Sequence, residues 1–146
     1  IAIGKQLVKK NLRRASELIN NDVPKPQLRF FVNAYQSWIF NEALTEYMSR
    51  HDRPYFGSVP IIGYNTIFGS STMDKIEKRV CDKEGISARD FRINELMMTC
   101  LGSSRPAFIR LADIDYTAGR TVKLAFVLPK GSYATVLLRE ICKNWI

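Results

Sequence analysis

Histidine is almost missing from this chain of 146 residues, and His51 is the only one. That excludes a zinc centre built from several imidazoles. A Ser–His–Asp triad would have to draw its base from the loop-like stretch SRHDRP. Cysteine is scarce as well. Cys81, Cys100 and Cys142 are odd in number and form no C-x-x-C pair, a usage that fits free thiols in a reducing compartment better than a disulfide framework. No apolar run approaches the roughly 20 residues that a membrane-spanning helix needs. The opening residues IAIGKQ carry neither an initiator methionine nor a signal-peptide core. Acid is in short supply, since 14 Asp and Glu face 22 Lys and Arg for a net charge of +8. Such an excess speaks about partners rather than fold. Nucleic acid is the first candidate, an anionic membrane surface the second, and a basic but inert surface the plain alternative. The remaining composition, 46% hydrophobic and 25% charged, is that of a globular chain with room for one ordinary domain or two small lobes.

Along the chain, residues 4–20 read as one amphipathic helix, with Leu7, Val8, Leu12, Ala15 and Ile19 as its apolar stripe. Pro24 and Pro26 predict an extended break after it. A second helix is expected over about 31–50, and PIIGYNTIFG reads as a short strand, a glycine turn and a further apolar piece. A third helix is predicted over 71–85. Ser71 or Thr72 caps it, Gly85 stops it, and Met73, Ile76 and Val80 face a small core. SARDF opens a further helical turn capped by Ser87. AFIRLADIDY and TVKLAFVL suit two strands joined by a hairpin turn at TAGR. YATVLLREICKN reads as a last helix with Val136, Leu137 and Ile141 facing inward. The fold class this order predicts is α+β.

Three stretches invite a chemical reading. In NAYQSWIFNEAL, at about 100° per residue, Asn33, Gln36, Ser37 and Asn41 fall in or beside the sector of Phe40, Ala43, Leu44, Tyr47 and Met48, with Glu42 and Glu46 opposite. Covered amides and hydroxyls need partners, since each one left unpaired costs roughly 1–3 kcal/mol. Near the chain start, Lys5, Lys9, Lys10, Arg13 and Arg14 place five positive charges within ten residues. They form either a phosphate-tracking face or a solvated helix side. In LPKGSYATVLLRE, Gly131 permits a sharp turn from strand to helix, and the free N–H groups of that helix start attract anions. Lys130 adds charge there, and Ser132 and Tyr133 add hydroxyls. The plain reading is an ordinary turn capped by Ser132. Asp113 and Asp115 in LADIDY read as turn or surface carboxylates, with no third ligand in view.

Two of these stretches, LRFFVNAYQSWIFNEAL and LAFVLPKGSYATVLLREICKN, resemble motifs of the tRNA pseudouridine synthase D (TruD) family. The first is similar to the family's aromatic–Ala–x–x–Ser–x–x–Phe–Asn helix. The second is similar to its terminal strand and Gly–Ser–(Tyr/Phe)–Ala–Thr–x–x–x–Arg–Glu helix. They stand in the family's order and cover about a quarter of the chain. The resemblance implies a cytoplasmic isomerase that flips a tRNA uridine, classically at position 13, and converts it to pseudouridine with a catalytic aspartate and no cofactor. It implies tRNA as partner, no metal and no membrane.

The family resemblance also organises the chain. Residues 1–48 would be catalytic-domain helices, 49–106 a family-specific insertion, and 107–146 the catalytic hairpin and terminal helix. Gln36, Ser37 and Asn41 would support the nucleotide pocket, Ser132, Tyr133 and Arg139 would form its wall, and Lys5, Lys9, Lys10, Arg13, Arg14 and Lys130 would hold RNA. The family's Gly–x–Lys–Asp motif, which carries the nucleophile, occurs nowhere in this sequence. Asp74, Asp82 and Asp90 fall in the insertion. The expectation is therefore the C-terminal portion of a partial catalytic domain, whose missing N-terminal half is a required partner. The rival readings are a non-catalytic RNA-binding module and a basic α+β interaction protein.

Overall fold

The computed structural model describes residues 1–19, 23–129 and 132–143. The chain divides into two compact units, Ile1–Ala107 and Phe108–Ile146.

In the first unit the expected single opening helix is two. Helix α1 spans Ala2–Val8 and α2 spans Leu12–Glu17. Lys10 takes a positive φ of 57° between them. Asn11 then caps α2, its side chain accepting from the Arg14 N–H at 3.2 Å. A side-chain acceptor placed just before a helix start competes with continuation of the preceding turn. The long helix α3 spans Lys25–Met48, with Pro24 as its N-cap. It begins about a turn and a half ahead of the predicted start. Pro26 sits in the first turn, where its missing N–H costs nothing, so the prolines open this helix instead of preceding it.

Strand β1 (Ser58–Ile61) pairs antiparallel with β4 (Ser103–Pro106), and β2 (Arg92–Ile93) pairs with β3 (Met98–Thr99). Helix α4 spans Thr72–Glu84 and has the predicted caps. Ser71 and Asp74 form a reciprocal capping box, and Gly85 closes the end in the left-handed conformation at φ 66°. Ala88–Phe91 forms a short 3-10 turn, with the Ser87 N–H and hydroxyl donating to Asp90.

Helices α1, α3 and α4 and the β1–β4 pair enclose one core, in which Val8, Val32, Tyr35, Ile39, Phe40, Met73, Ile76, Phe91 and Ile93 are buried. The core runs across residue 48 without a break, because α3 packs on α4 and on β1. In the second unit, β5 (Ala112–Ala118) and β6 (Val122–Val127) form an antiparallel hairpin with an irregularity between Ala112 and Asp115, where Asp113 takes φ 55°. Helix α5 spans Ala134–Ile141. None of the described residues of this unit is buried. The expectation that Val136, Leu137 and Ile141 face inward is corrected accordingly. Leu137 is half-buried, and Val136 and Ile141 are each 47% exposed. The fold class is α+β, as expected.

Candidate functional site

Helix α3 turns a different face to the core from the one chosen on the sequence. Val32, Tyr35, Gln36, Ile39, Phe40, Ala43 and Tyr47 are its buried residues. The direction of this buried set differs from that of Phe40, Ala43, Leu44, Tyr47 and Met48 by roughly 70° at about 100° per residue. Gln36 then lies near the middle of the buried face and Asn41 on the opposite side. Asn33 and Asn41 are exposed and Ser37 is half-buried. Glu46, expected on the outer side, is held against α4 instead. Its carboxylate meets Arg79 at 2.8 Å, Arg50 at 3.1 Å and Lys83 at 3.2 Å. The Arg79 hydrogen bond leads in holding its pKa below the ordinary carboxylate value, against a smaller opposing effect of burial.

Gln36 does what a covered amide must. Its Nε2 donates to the Ile62 carbonyl at 2.6 Å and to the Leu101 carbonyl at 3.2 Å. The other side of the same Ile62 residue is held from α4, since its N–H donates to Glu77 Oε1 at 3.2 Å. Glu77 is fully buried, and its Oε2 has no hydrogen-bond partner. Burial pushes its pKa up to about 8, with the nearby Asp74 adding to the effect and the Ile62 N–H opposing it. The two loops so held touch backbone to backbone. A Cβ placed on Gly63 would run into the Gly102 backbone nitrogen, and one on Gly102 would meet the Ile61 carbonyl oxygen at 2.7 Å. The Gly63 N–H donates to Thr66 Oγ1 and the Gly102 N–H to Asn65 Oδ1. Glu77 stands at the i+4 place from Met73, in one stripe with Ile76, Val80 and Cys81, so helical spacing turns it inward although its charge reads as outward.

The basic residues of α1 and α2 are mostly engaged with acids. Lys5 and Lys9 reach Glu84 at 2.8 and 4.0 Å, Lys10 reaches Asp90 at 3.6 Å, and Arg13 pairs with Glu17 at 3.3 Å. Among the described residues only Arg14 of the five has no such pair. Glu84 also accepts from the Tyr35 hydroxyl at 2.7 Å. Its burial works to raise its pKa, yet Lys5, Tyr35 and Lys9 together hold it below the ordinary value. Tyr35 is pushed upward, first by burial and then by Glu84. A groove of about 370 Å³ lies between α3 and α4, with Trp38 and Val80 among its lining and Glu42, Glu46, Lys83 and Glu84 at its polar side. Its charges largely satisfy one another.

Ser132, Tyr133 and Arg139 belong to the second unit. Tyr133 is the N-cap of α5, with no side-chain cap bond, and is 72% exposed. Ser132 is half-buried and Arg139 exposed. Ser132 is therefore not the cap, and Glu140 pairs with Lys143 at 3.8 Å. Lys130 and Gly131 lie outside the described residues. Asp113 and Asp115 are exposed. Among the described residues no group of three His, Cys, Asp or Glu could hold a metal ion. His51 stacks on Tyr47 at 4.1 Å, and its Nδ1 lies 2.9 Å from the Tyr47 carbonyl oxygen. No helix of the described residues is long and apolar enough to cross a membrane. The aspartates of the central region have local structural work. Asp74 caps α4, Asp82 pairs with Lys78 at 2.8 Å, and Asp90 takes the Ser87 hydroxyl and Lys10.

Comparison with known proteins adds family to this geometry. The profile of the family "tRNA pseudouridine synthase D (TruD)" matches residues 50–141. A probable tRNA pseudouridine synthase D of Methanopyrus kandleri is 35% identical over 127 residues, covering 77% of this chain and 32% of the relative. A protein of the same description from Methanocaldococcus jannaschii is 34% identical over 129 residues, covering 82% of this chain and 33% of the relative. The crystal structure of a putative TruD from Methanosarcina mazei superposes with a TM-score of 0.74 at 21% identity, over 97% of this chain and 56% of that one. That likeness is one of fold. The chain spans about a third of the length of these curated relatives. With more than half of its residues inside the family profile, the chain belongs to the tRNA pseudouridine synthase D (TruD) family.

Proposed function

We propose that this chain is the C-terminal part of a tRNA pseudouridine synthase. Its substrate is a flipped tRNA uridine, at the family's classical position 13. The observation that carries the reading is family membership over residues 50–141. The reaction breaks the bond from C1′ to N1 of uracil and makes one from C1′ to C5. Substrate and product are isomers, so no cofactor is consumed. A flipped base needs a walled pocket and cationic surroundings for the displaced strand, and a net charge of +8 suits that task.

This chain supplies support and walls, and the nucleophile lies elsewhere. No Gly–x–Lys–Asp motif occurs in it, and Asp74, Asp82 and Asp90 are engaged as caps and ion pairs. Gln36 supports the pocket by fixing the loop carbonyls of Ile62 and Leu101. Ser132, Tyr133 and Arg139 are assigned to its wall, and residues 49–106 to the family-specific insertion. The partners are tRNA and the portion of the relatives that this chain does not span. The expected compartment is the cytoplasm.

A tritium-release assay on tRNA labelled at uracil C5 tests the reading. The 146 residues alone are expected to release none. A protein of the relatives' length containing them is expected to turn over, and Arg139→Ala in it should lower turnover more than tRNA affinity. Turnover by the 146 residues alone would place the nucleophile inside this chain. A relatives-length protein with no turnover, yet retaining salt-dependent tRNA binding, would favour the non-catalytic RNA-binding reading.

A further inference from the structure

Arg29, Arg92 and Tyr64 are far apart in sequence and meet over strand β3. Arg29 Nη1 donates to the Thr99 carbonyl at 2.9 Å. Arg92 is the cross-strand partner of Thr99. The Tyr64 N–H donates to the neighbouring Cys100 carbonyl at 2.9 Å. The Tyr64 hydroxyl accepts from Arg92 Nη1 at 3.4 Å, and the guanidinium carbon lies 5.6 Å from the ring centroid. All three residues are exposed, Tyr64 by 38%.

The charge state of this cluster differs from that of the helices. Lys5, Lys9, Lys10, Arg13, Lys78, Arg79 and Lys83 each face a carboxylate. Among the described residues neither Arg29 nor Arg92 has a carboxylate within ion-pair distance. Of the acids next to Arg92 in sequence, Asp90 is paired with Lys10, and Glu95 stands in the turn between β2 and β3 without an ion pair to either arginine. Each guanidinium carries five N–H donors and spends few of them here. Beside them Asn65 is exposed, with its Oδ1 taken by the Gly102 N–H, so its NH₂ group remains to donate. The backbone beneath is fixed by Gln36, Glu77 and the Gly63–Gly102 contact.

We propose that Arg29, Arg92 and Tyr64 form a contact for an RNA strand, in which the two guanidiniums take phosphates and the tyrosine ring takes an unpaired base. The inference rests on the reading that RNA is the partner. It places the footprint on a different surface from the basic first helices. Guanidiniums without acid partners release phosphate counterions on binding. An exposed ring at their side offers a face on which any base can stack, and a side-chain amide can read a base edge. An acidic protein segment would use the charges alone and would leave the ring and the amide without a role.

The test is fluorescence anisotropy of the 146-residue chain with an unmodified tRNA transcript and with a 12-residue oligouridine, at several salt concentrations, with melting curves on every variant. Arg92→Gln is expected to weaken both probes and to lower the salt slope by about one. The pair Arg29→Gln and Arg92→Gln should lower it by about two. Tyr64→Leu is expected to weaken oligouridine ~5–100-fold with the salt slope unchanged, and Tyr64→Phe to bind as the wild type. Lys9→Gln with Arg13→Gln should have the smaller effect. The proposal is overturned if the folded wild-type chain binds neither probe at about 50 mM salt. It is equally overturned if Arg92→Gln and Tyr64→Leu melt and bind as wild type, or if polyglutamate competes fully and Tyr64→Leu changes nothing. In a relatives-length protein, wild-type tRNA binding and pseudouridine formation by the Arg92→Gln, Tyr64→Leu double variant would sink this contact and leave the synthase reading standing. Failure of the unsubstituted protein to form pseudouridine sinks that reading instead.

Discussion

Phe91 and Phe126 have the same side chain and unlike surroundings. Phe91 closes a 3-10 turn in the first unit and is fully buried. Phe126 lies on β6 in the second unit, where the pattern alternates as cleanly as any in the chain, and is half-buried. In α5, Val136 and Ile141 stand 47% exposed despite clear amphipathicity. A two-stranded hairpin with nothing on its face is marginal in water. Apolar periodicity therefore specifies an element and the face it would bury, while burial itself needs a second surface. The first unit contains its own second surfaces, in that α1, α3, α4 and β1 cover one another.

The matched substitutions Phe91→Ala and Phe126→Ala give the largest expected contrast. Phe91→Ala should cost ~3–5 kcal/mol in denaturant melts, through lost burial and a cavity. Phe126→Ala should cost under ~1 kcal/mol, as a partly exposed site does. Equal costs would mean that the hairpin is covered in solution. Hydrogen exchange sharpens the same contrast, since amides of α3 and α4 should be protected on the order of a hundredfold more than those of β5 and β6.

Within the first unit, Gln36→Ala should lose about 2–3 kcal/mol, because two carbonyls and a buried space are left behind. Asn41→Ala should stay within about 0.5 kcal/mol. Had the face of α3 been the one read from Phe40 to Met48, Asn41 would be covered too and its loss would exceed about 0.5 kcal/mol.

The most gradual effect is a pH dependence, spread over several pH units. Glu77 holds its proton up to about pH 8 in the fold, against an ordinary value of 4.5 in the open chain. The folded state thus binds more protons between those values, so its stabilising share is complete below about 4.5 and is lost as pH rises through 8. The slope is at most ~1.4 kcal/mol per pH unit. Glu77→Gln should match the wild type near pH 5 and exceed it above pH 8. Parallel curves for the two proteins would show that Glu77 does not hold its proton.

Much of this was legible in sequence where local chemistry decides. The Ser71–Asp74 box and Gly85 delimit α4 because caps act within a turn, and the resemblance in NAYQSWIFNEAL named the family because it is specific. The split at Lys10 and Asn11 was not legible, since Leu7, Val8 and Ala15 keep their apolar character through the break. The buried face of α3 departs from the one that Phe40 to Met48 suggest because Val32, Tyr35 and Ile39 carry the apolar stripe round the helix. The cluster over β3 joins positions 29, 64 and 92, and no period connects them. Glu77 shares the stripe of Met73, Ile76 and Val80, yet the burial of an acid is decided by what lies opposite.

Ile62 acts as a gauge between two helices. Its carbonyl is tied to Gln36 on α3 and its N–H to Glu77 on α4, at 2.6 and 3.2 Å. If the helices move apart, the loop can follow only one of them, and a shift of about one ångström takes the other bond beyond hydrogen-bonding range. Helix spacing is thereby transmitted to the backbone two residues before Tyr64. Substitutions that thicken the α3–α4 seam should consequently displace the Tyr64 ring without touching it.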